Sequence, residues 1–208
     1  MQGMERFDMA GVRGFLHRPA AALGDGIVLT HGAGSSCAAP LLVALARALA
    51  DSGVTVLRCD LPFRQARAKG PPLRGDAARD REGLRRAVTA LRGIVPGRVY
   101  LGGHSYGGRQ ASILASEDAE LAAALLLLSY PLHPPRRPGD LRTAHLPKLR
   151  TPALFIHGTN DPFGSADEMR AALELIPARK ELVLIEGAGH ELGKGATAAA
   201  GAFVTFVK

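Results

Sequence analysis

One nine-residue stretch, Leu101-Gly-Gly-His-Ser-Tyr-Gly-Gly-Arg109, restricts what this chain can fold into more than any other. It seats a serine between glycines, straight after the strand-like run Arg98-Val-Tyr-Leu101 and straight before the helix-like run Gln110-Ala-Ser-Ile-Leu-Ala115. Gly103-His-Ser-Tyr-Gly107 fits the pattern G-x-S-x-G, which marks a sharp turn from strand into helix. The serine of such a turn takes strained backbone angles, and the glycines remove Cβ atoms that would collide with neighbouring backbone. The turn lifts the Ser105 hydroxyl clear of a sheet edge. It also leaves the N–H of Tyr106, first in the helix, without an intrahelical partner and aimed at any anion that forms beside Ser105. A nucleophile and half of an oxyanion hole are expected from one turn.

The rest of the chain alternates strands with helices. Ala10 to Leu16 alternates weakly and reads as an early edge-type strand. Ile27-Val-Leu-Thr30 reads as a buried strand running into the small-residue loop His31-Gly-Ala-Gly-Ser-Ser36. Pro40 opens an Ala- and Leu-rich helix that Gly53 closes, and Val54 to Arg58 is the next strand, completing a βαβ unit with parallel neighbours. Asp60 to Gly75 carries Pro, Gly and Arg without periodicity and is expected to be a long loop over part of a site. Asp76 to Arg92 has Leu84, Val88 and Leu91 on one face and charges on the other, as an amphipathic helix does. After the Ser105 turn come a strand from Ala122 to Ser129, a proline-rich loop or lid from Tyr130 to Pro138, and a strand from Pro152 to His157. A helix from Ser165 to Ile176, a strand from Glu181 to Ile185 and a last helix from Ala196 to Val207 follow. The pattern predicts an α/β fold, a doubly wound and mostly parallel sheet of about six or seven strands with no large cap domain.

A length of 208 residues, 47% of them hydrophobic, suits one globular domain over 1–208. No apolar run has the length of a membrane span, and the first eight residues lack an apolar signal core, so a cytoplasmic protein without membrane contact is expected. Cys37 and Cys59 then read as free packing residues. The net charge of +7 comes mostly from arginine, concentrated between Arg58 and Arg92. It lacks the aromatic interleaving of a nucleic-acid surface, and no nucleic-acid partner is expected. The seven histidines form no H-E-x-x-H, the cysteines no C-x-x-C, and the glycine loops neither a dinucleotide fingerprint nor a P-loop. The expectation is no metal and no cofactor.

A serine hydroxyl is a poor nucleophile near neutral pH and needs a base, itself held in one tautomer by an acid. In open α/β sheets such groups gather beyond the carboxyl ends of strands. Ser105, Asp161 and His190 each follow a strand, in the order Ser, Asp, His that α/β-hydrolases use. Ser105 is read as nucleophile, His190 as general base and then acid, and Asp161 as the orienting carboxylate, with Glu186 and Asp60 as the rival acids. The N–H of Ala33, in the glycine loop after the earlier strand, is the expected partner of Tyr106 in the oxyanion hole. His31, Gly32, His104, Tyr130 and His133 are the candidates for substrate contact, while His31 and His157, at strand ends, also read as core or loop-holding residues. Arg64, Arg67, Arg136 and Arg137 lie on the two irregular segments and suggest a small ester substrate bearing an anionic group.

Five blocks carry a family resemblance: Thr30-His-Gly-Ala-Gly34, Gly102 to Arg109, Ser129-Tyr-Pro-Leu-His-Pro-Pro135, Leu141-Arg142 with His145-Leu146, and Gly158-Thr-Asn-Asp-Pro-Phe-Gly164. Together they resemble the small, cap-less α/β-hydrolases, in the branch that includes bacterial dienelactone-hydrolase-like proteins, the testis-expressed protein thirty and a subunit of the nonspecific-lethal histone acetyltransferase complex. The resemblance implies triad roles for Ser105, Asp161 and His190 and an ester-cleaving serine hydrolase. Because some members of the branch act as complex subunits, a non-catalytic interaction module is the alternative. Dienelactone hydrolases proper use a cysteine where this chain has Ser105.

Overall fold

A computed structural model of the chain describes residues 3–208. Eight strands form one sheet: β1 (Gly3–Met9), β2 (Val12–Arg18), β3 (Gly26–Thr30), β4 (Thr55–Cys59), β5 (Val99–His104), β6 (Leu125–Leu128), β7 (Ala153–Gly158) and β8 (Lys180–Ile185). Their spatial order is β1-β2-β4-β3-β5-β6-β7-β8. The pairs from β4 through β8 are parallel, and β1 and β2 add an antiparallel ribbon at one edge. The strand expected at 10–16 is therefore the inner arm of a hairpin, turned at Ala10 and Gly11 with φ of 55° and 73°. The eighth strand is the outer arm, β1, in which only Phe7 is buried, so no period-2 pattern announces it.

Among the described residues six α-helices flank the sheet: α1 (Pro40–Asp51), α2 (Pro62–Ala66), α3 (Asp76–Arg92), α4 (Tyr106–Glu117), α5 (Ala166–Leu173) and α6 (Ala196–Phe206). Alternate residues of the central strands feed two separate cores, which is the physical content of a doubly wound sheet. On one face Leu125 and Leu127 of β6 meet Leu84 and Leu91 of α3, Leu114 of α4 and Met169 of α5. On the other, Leu126 and Leu128 meet Leu42 and Leu49 of α1 and Phe203 of α6. Both faces of β6 are fully buried, which is why its sequence is an unbroken run of leucine. Among the described residues no helix is long and apolar enough to cross a membrane.

Two segments without periodicity are more ordered than their sequences suggest. Within 60–75 the chain makes α2, with Pro62 in its first turn. Between β6 and β7, the Tyr130 hydroxyl donates to the Arg142 carbonyl at 2.6 Å and the Arg142 N–H to the Leu132 carbonyl at 2.8 Å. The His133 N–H donates to the Phe163 carbonyl at 3.0 Å. This segment is thus a stitched loop docked beside α5.

Candidate active site

Ser105 lies between β5 and α4 with φ of 52° and ψ of −119°, a left-handed conformation that costs a non-glycine residue strain. The surroundings hold it there. A Cβ on Gly107 would fall 2.5 Å from the His31 carbonyl oxygen and 2.6 Å from Thr30 Cγ2, and one on Gly103 would fall 2.8 Å from the Gly108 nitrogen. Only glycine lets β3, the turn and α4 approach this closely.

His190, in the loop between β8 and α6, places Nε2 2.8 Å from Ser105 Oγ. Its Nδ1–H donates to Asp161, 2.8 Å from Oδ2 and 3.0 Å from Oδ1. The Asp161 side chain is fully buried while that of His190 is 18% exposed, so the carboxylate is dry and the imidazole borders solvent. Asp161 Oδ1 also accepts the N–H of Phe163 at 2.9 Å. The rival acids lie elsewhere: Asp60 accepts the Cys37 N–H at 2.7 Å, and Glu186 sits 3.5 Å from the Thr159 hydroxyl.

A cleft of about 320 Å³ opens over Ser105, lined by Gly32, Ala33, Gly34, Ser35, His104, Phe163, His190 and Glu191. Among the described residues the N–H groups of Ala33 and Tyr106 donate to no protein acceptor. His104 borders the cleft and donates through Nε2–H to the His190 carbonyl at 2.9 Å. Burial holds its pKa below the ordinary value, so it stays neutral in that role.

Three residues expected at the cleft are not there. His31 is fully buried and donates through Nδ1–H to the Gly32 carbonyl at 2.8 Å while Nε2 accepts the Leu61 N–H at 3.1 Å. It braces the loop, the other reading open to a histidine at a strand end. Tyr130 is buried against Phe155, and His133 turns away toward Glu168, with Nδ1–H donating to the Pro134 carbonyl at 2.8 Å. Among the described residues no arginine, Arg136 included, lines the cleft. Arg64 is buried, Arg67 pairs with Asp76 at 2.7 Å and Arg137 with Asp140 at 3.2 Å.

Two cleft residues escaped the sequence reading. Phe163 stacks on the His190 ring, centroids 4.2 Å apart and planes at 32°. Glu191 also lines the cleft, close enough for its charge to act on His104. Adjacency to Asp161 and His190 was the only available signal, and it says nothing about which way a side chain turns.

The family described as "Alpha/beta hydrolase domain" matches residues 24–200. The chain belongs to the α/β-hydrolases. A dienelactone hydrolase from Anabaena variabilis superposes with a TM-score of 0.76 at 26% identity, over 99% of this chain and 95% of that one. A Xanthomonas campestris α/β serine hydrolase without a lid superposes with a TM-score of 0.75 at 19% identity, over 99% and 93%. A Salmonella typhimurium protein provisionally named carboxymethylenebutenolidase is 32% identical over 101 residues, 45% of this chain and 36% of its own length. The matched stretch thus spans about a third of that relative. Sequence and fold together place this hydrolase-family chain in the dienelactone-hydrolase-like branch, with no large cap over the sheet.

Proposed function

We propose that this α/β-hydrolase cleaves small carboxylic esters through an acyl-enzyme, with Ser105, His190 and Asp161 as its triad and the N–H groups of Ala33 and Tyr106 as its oxyanion hole. The observation that carries the reading is the unbroken chain of contacts from Ser105 Oγ to His190 Nε2, 2.8 Å, and from His190 Nδ1 to Asp161, 2.8 Å. Ser105 Oγ attacks the ester carbonyl carbon while its proton passes to His190 Nε2. Negative charge gathers on the former carbonyl oxygen, which the two N–H groups meet. His190 then gives its proton to the departing alkoxide, leaving an acyl-Ser105. Water repeats the sequence, releases the carboxylic acid and restores the serine. Phe163, stacked on the imidazole, limits its rotation between the two steps.

The substrate is uncharged near the scissile bond. Among the described residues Glu191 is the one acidic residue lining the cleft; of the arginines expected to receive an anion, Arg64, Arg67 and Arg137 are engaged elsewhere and Arg136 does not line the cleft. A carboxylate-bearing ester would meet repulsion there. The reading takes 1–208 as one working domain, because the site draws on loops from β3 through β8. It places that domain in the reducing cytoplasm, in keeping with Cys37 and Cys59, which are both buried and unpaired. The blocks around Tyr130 and Asp161 support a position within the branch beside testis-expressed protein thirty and the nonspecific-lethal complex subunit.

The test is labelling with a fluorophosphonate, with Ser105→Ala as control, alongside hydrolysis of p-nitrophenyl acetate. A Ser105-dependent adduct with turnover is the expected result. No adduct and no turnover would make the chain an interaction module built on the same fold. A carboxylate-bearing p-nitrophenyl ester turned over faster than its neutral counterpart would overturn the substrate assignment alone.

A further inference from the structure

Arg64, on α2, is buried and forms no ion pair with any described carboxylate. Its guanidinium donates instead to four main-chain carbonyls: Nε to Ser35 at 2.8 Å, Nη1 to Arg67 at 3.1 Å, and Nη2 to Ala33 at 3.1 Å and to Gly70 at 2.9 Å. Its carbon lies 4.9 Å from the Phe63 ring centroid. Taking a cation out of water without an anion to meet it is costly, and dipoles aimed at every edge of the fork are what make it tolerable. Such an arrangement orders whatever supplies the dipoles. Two of the four carbonyls, those of Ala33 and Ser35, belong to the loop that forms the cleft wall beside Ser105.

Ala33 is held from both sides. The peptide before it is fixed by His31, whose Nδ1–H meets the Gly32 carbonyl at 2.8 Å, and the peptide after it by Arg64. Carbonyl and N–H point in opposite directions across a trans peptide, so anchoring the Gly32 oxygen aims the Ala33 N–H. The neighbouring residue of α2 serves the other donor. Phe63 packs edge-on against the Tyr106 ring, centroids 5.8 Å apart at 90°. Asp80 accepts both the Phe63 N–H at 3.0 Å and the Tyr106 hydroxyl at 2.7 Å. One short helix thus reaches both halves of the anion-binding site.

The geometry points to Arg64 as a positioning residue for the oxyanion hole: it clamps the Ala33 loop in the conformation that meets the developing oxyanion, and its unpaired charge favours that oxyanion. The inference rests on the serine-hydrolase reading above. Because the clamp acts on charge that exists only in the transition state, its loss lowers kcat and leaves KM nearly alone. Lysine cannot substitute, since a single ammonium cannot span carbonyls that a planar fork reaches at once.

The test compares wild type, Arg64→Met and Arg64→Lys by steady-state kinetics on p-nitrophenyl acetate, inhibition by phenylboronic acid, and thermal unfolding. Phenylboronic acid forms a tetrahedral anionic adduct on a reactive serine and so reports on the hole without turnover. Arg64→Met is expected to lose roughly 10- to 100-fold in kcat, the scale of a misplaced reacting group. Boronate affinity should fall with it, KM should stay within about twofold, and millimolar guanidinium should restore part of the rate. A folded Arg64→Met with wild-type kcat and boronate affinity sinks the proposal. Should that variant fail to fold, Arg64→Lys decides: the same paired loss supports the clamp, and wild-type values overturn it. Wild type that gives no Ser105 adduct removes the underlying reading instead, so the two failures are distinguishable.

Discussion

Asp161 carries a constraint that predicts its own mutant. Its Oδ1 accepts the Phe163 N–H, and both oxygens face His190 Nδ1. In Asp161→Asn the remaining carbonyl stays with the Phe163 N–H, which turns the amide NH2 toward His190. The imidazole then keeps its proton on Nε2 and cannot take one from Ser105. We expect kcat to fall by about 10⁴ with little change in KM, measured on p-nitrophenyl acetate. A loss under tenfold would mean that another group orients the ring. The glycines differ in a similarly specific way. Gly107→Ala drives a methyl into the His31 carbonyl and should destabilise by roughly 1–3 kcal/mol. Gly34→Ala meets nothing within 4 Å and should leave the urea midpoint unchanged. Equal midpoints for the two variants would contradict this account. That Ser105, Asp161 and His190 would come together was legible because each sits in a loop directly after a strand of the parallel sheet, in the order Ser, Asp, His. Tyr130 and His133 were misplaced because a polar side chain in a proline-rich segment looks the same whether it meets substrate or its own backbone.

Among the elements, α5 starts directly after the Asp161 loop and is set by a reciprocal cap. Ser165 Oγ accepts the Glu168 N–H at 3.3 Å, and Glu168 Oε2 accepts the Ser165 N–H at 2.8 Å. Ser165→Ala should cost about 1 kcal/mol, a fall of roughly 2–4 °C in Tm for a domain of this size, read by calorimetry. An unchanged Tm would show that packing of Met169 alone starts the helix. The expected start at Ser165 agrees with this boundary, and the expected end at Ile176 lies three residues beyond the observed Leu173. By contrast α2 has only five residues, too few for periodicity, and its importance lies in where Arg64 and Phe63 land. β1 escaped because it is an edge strand whose pairing is backbone to backbone, with one buried side chain.

For the whole molecule the pH dependence of stability follows from groups far from the cleft. Burial lowers His17 and His145 to about 4, helped by Arg58 and Arg109 respectively. The unfolded chain protonates these rings below about 6.5 and the folded one only near 4, so stability is full above 6.5 and falls as pH drops between those values. Hydrogen bonds from Arg67 and the Leu73 backbone hold Asp76 at about 2, so its contribution is lost only below the ordinary carboxylate range. Urea midpoints should therefore fall between pH 7 and pH 4.5, and His145→Gln should flatten part of that fall. A flat profile over this interval would contradict the assignment. The sequence by itself determined the alternation of strands and helices, the two-sided burial of the central sheet and the order Ser, Asp, His, because periodicity and turn chemistry are local. Only the tertiary structure decided which histidines face the cleft, that a buried arginine braces the Ala33 loop, and that Glu191 lines the cleft. Those outcomes depend on distances between residues far apart in the chain, and a buried cation can be met by carbonyls whose identity no side-chain pattern encodes.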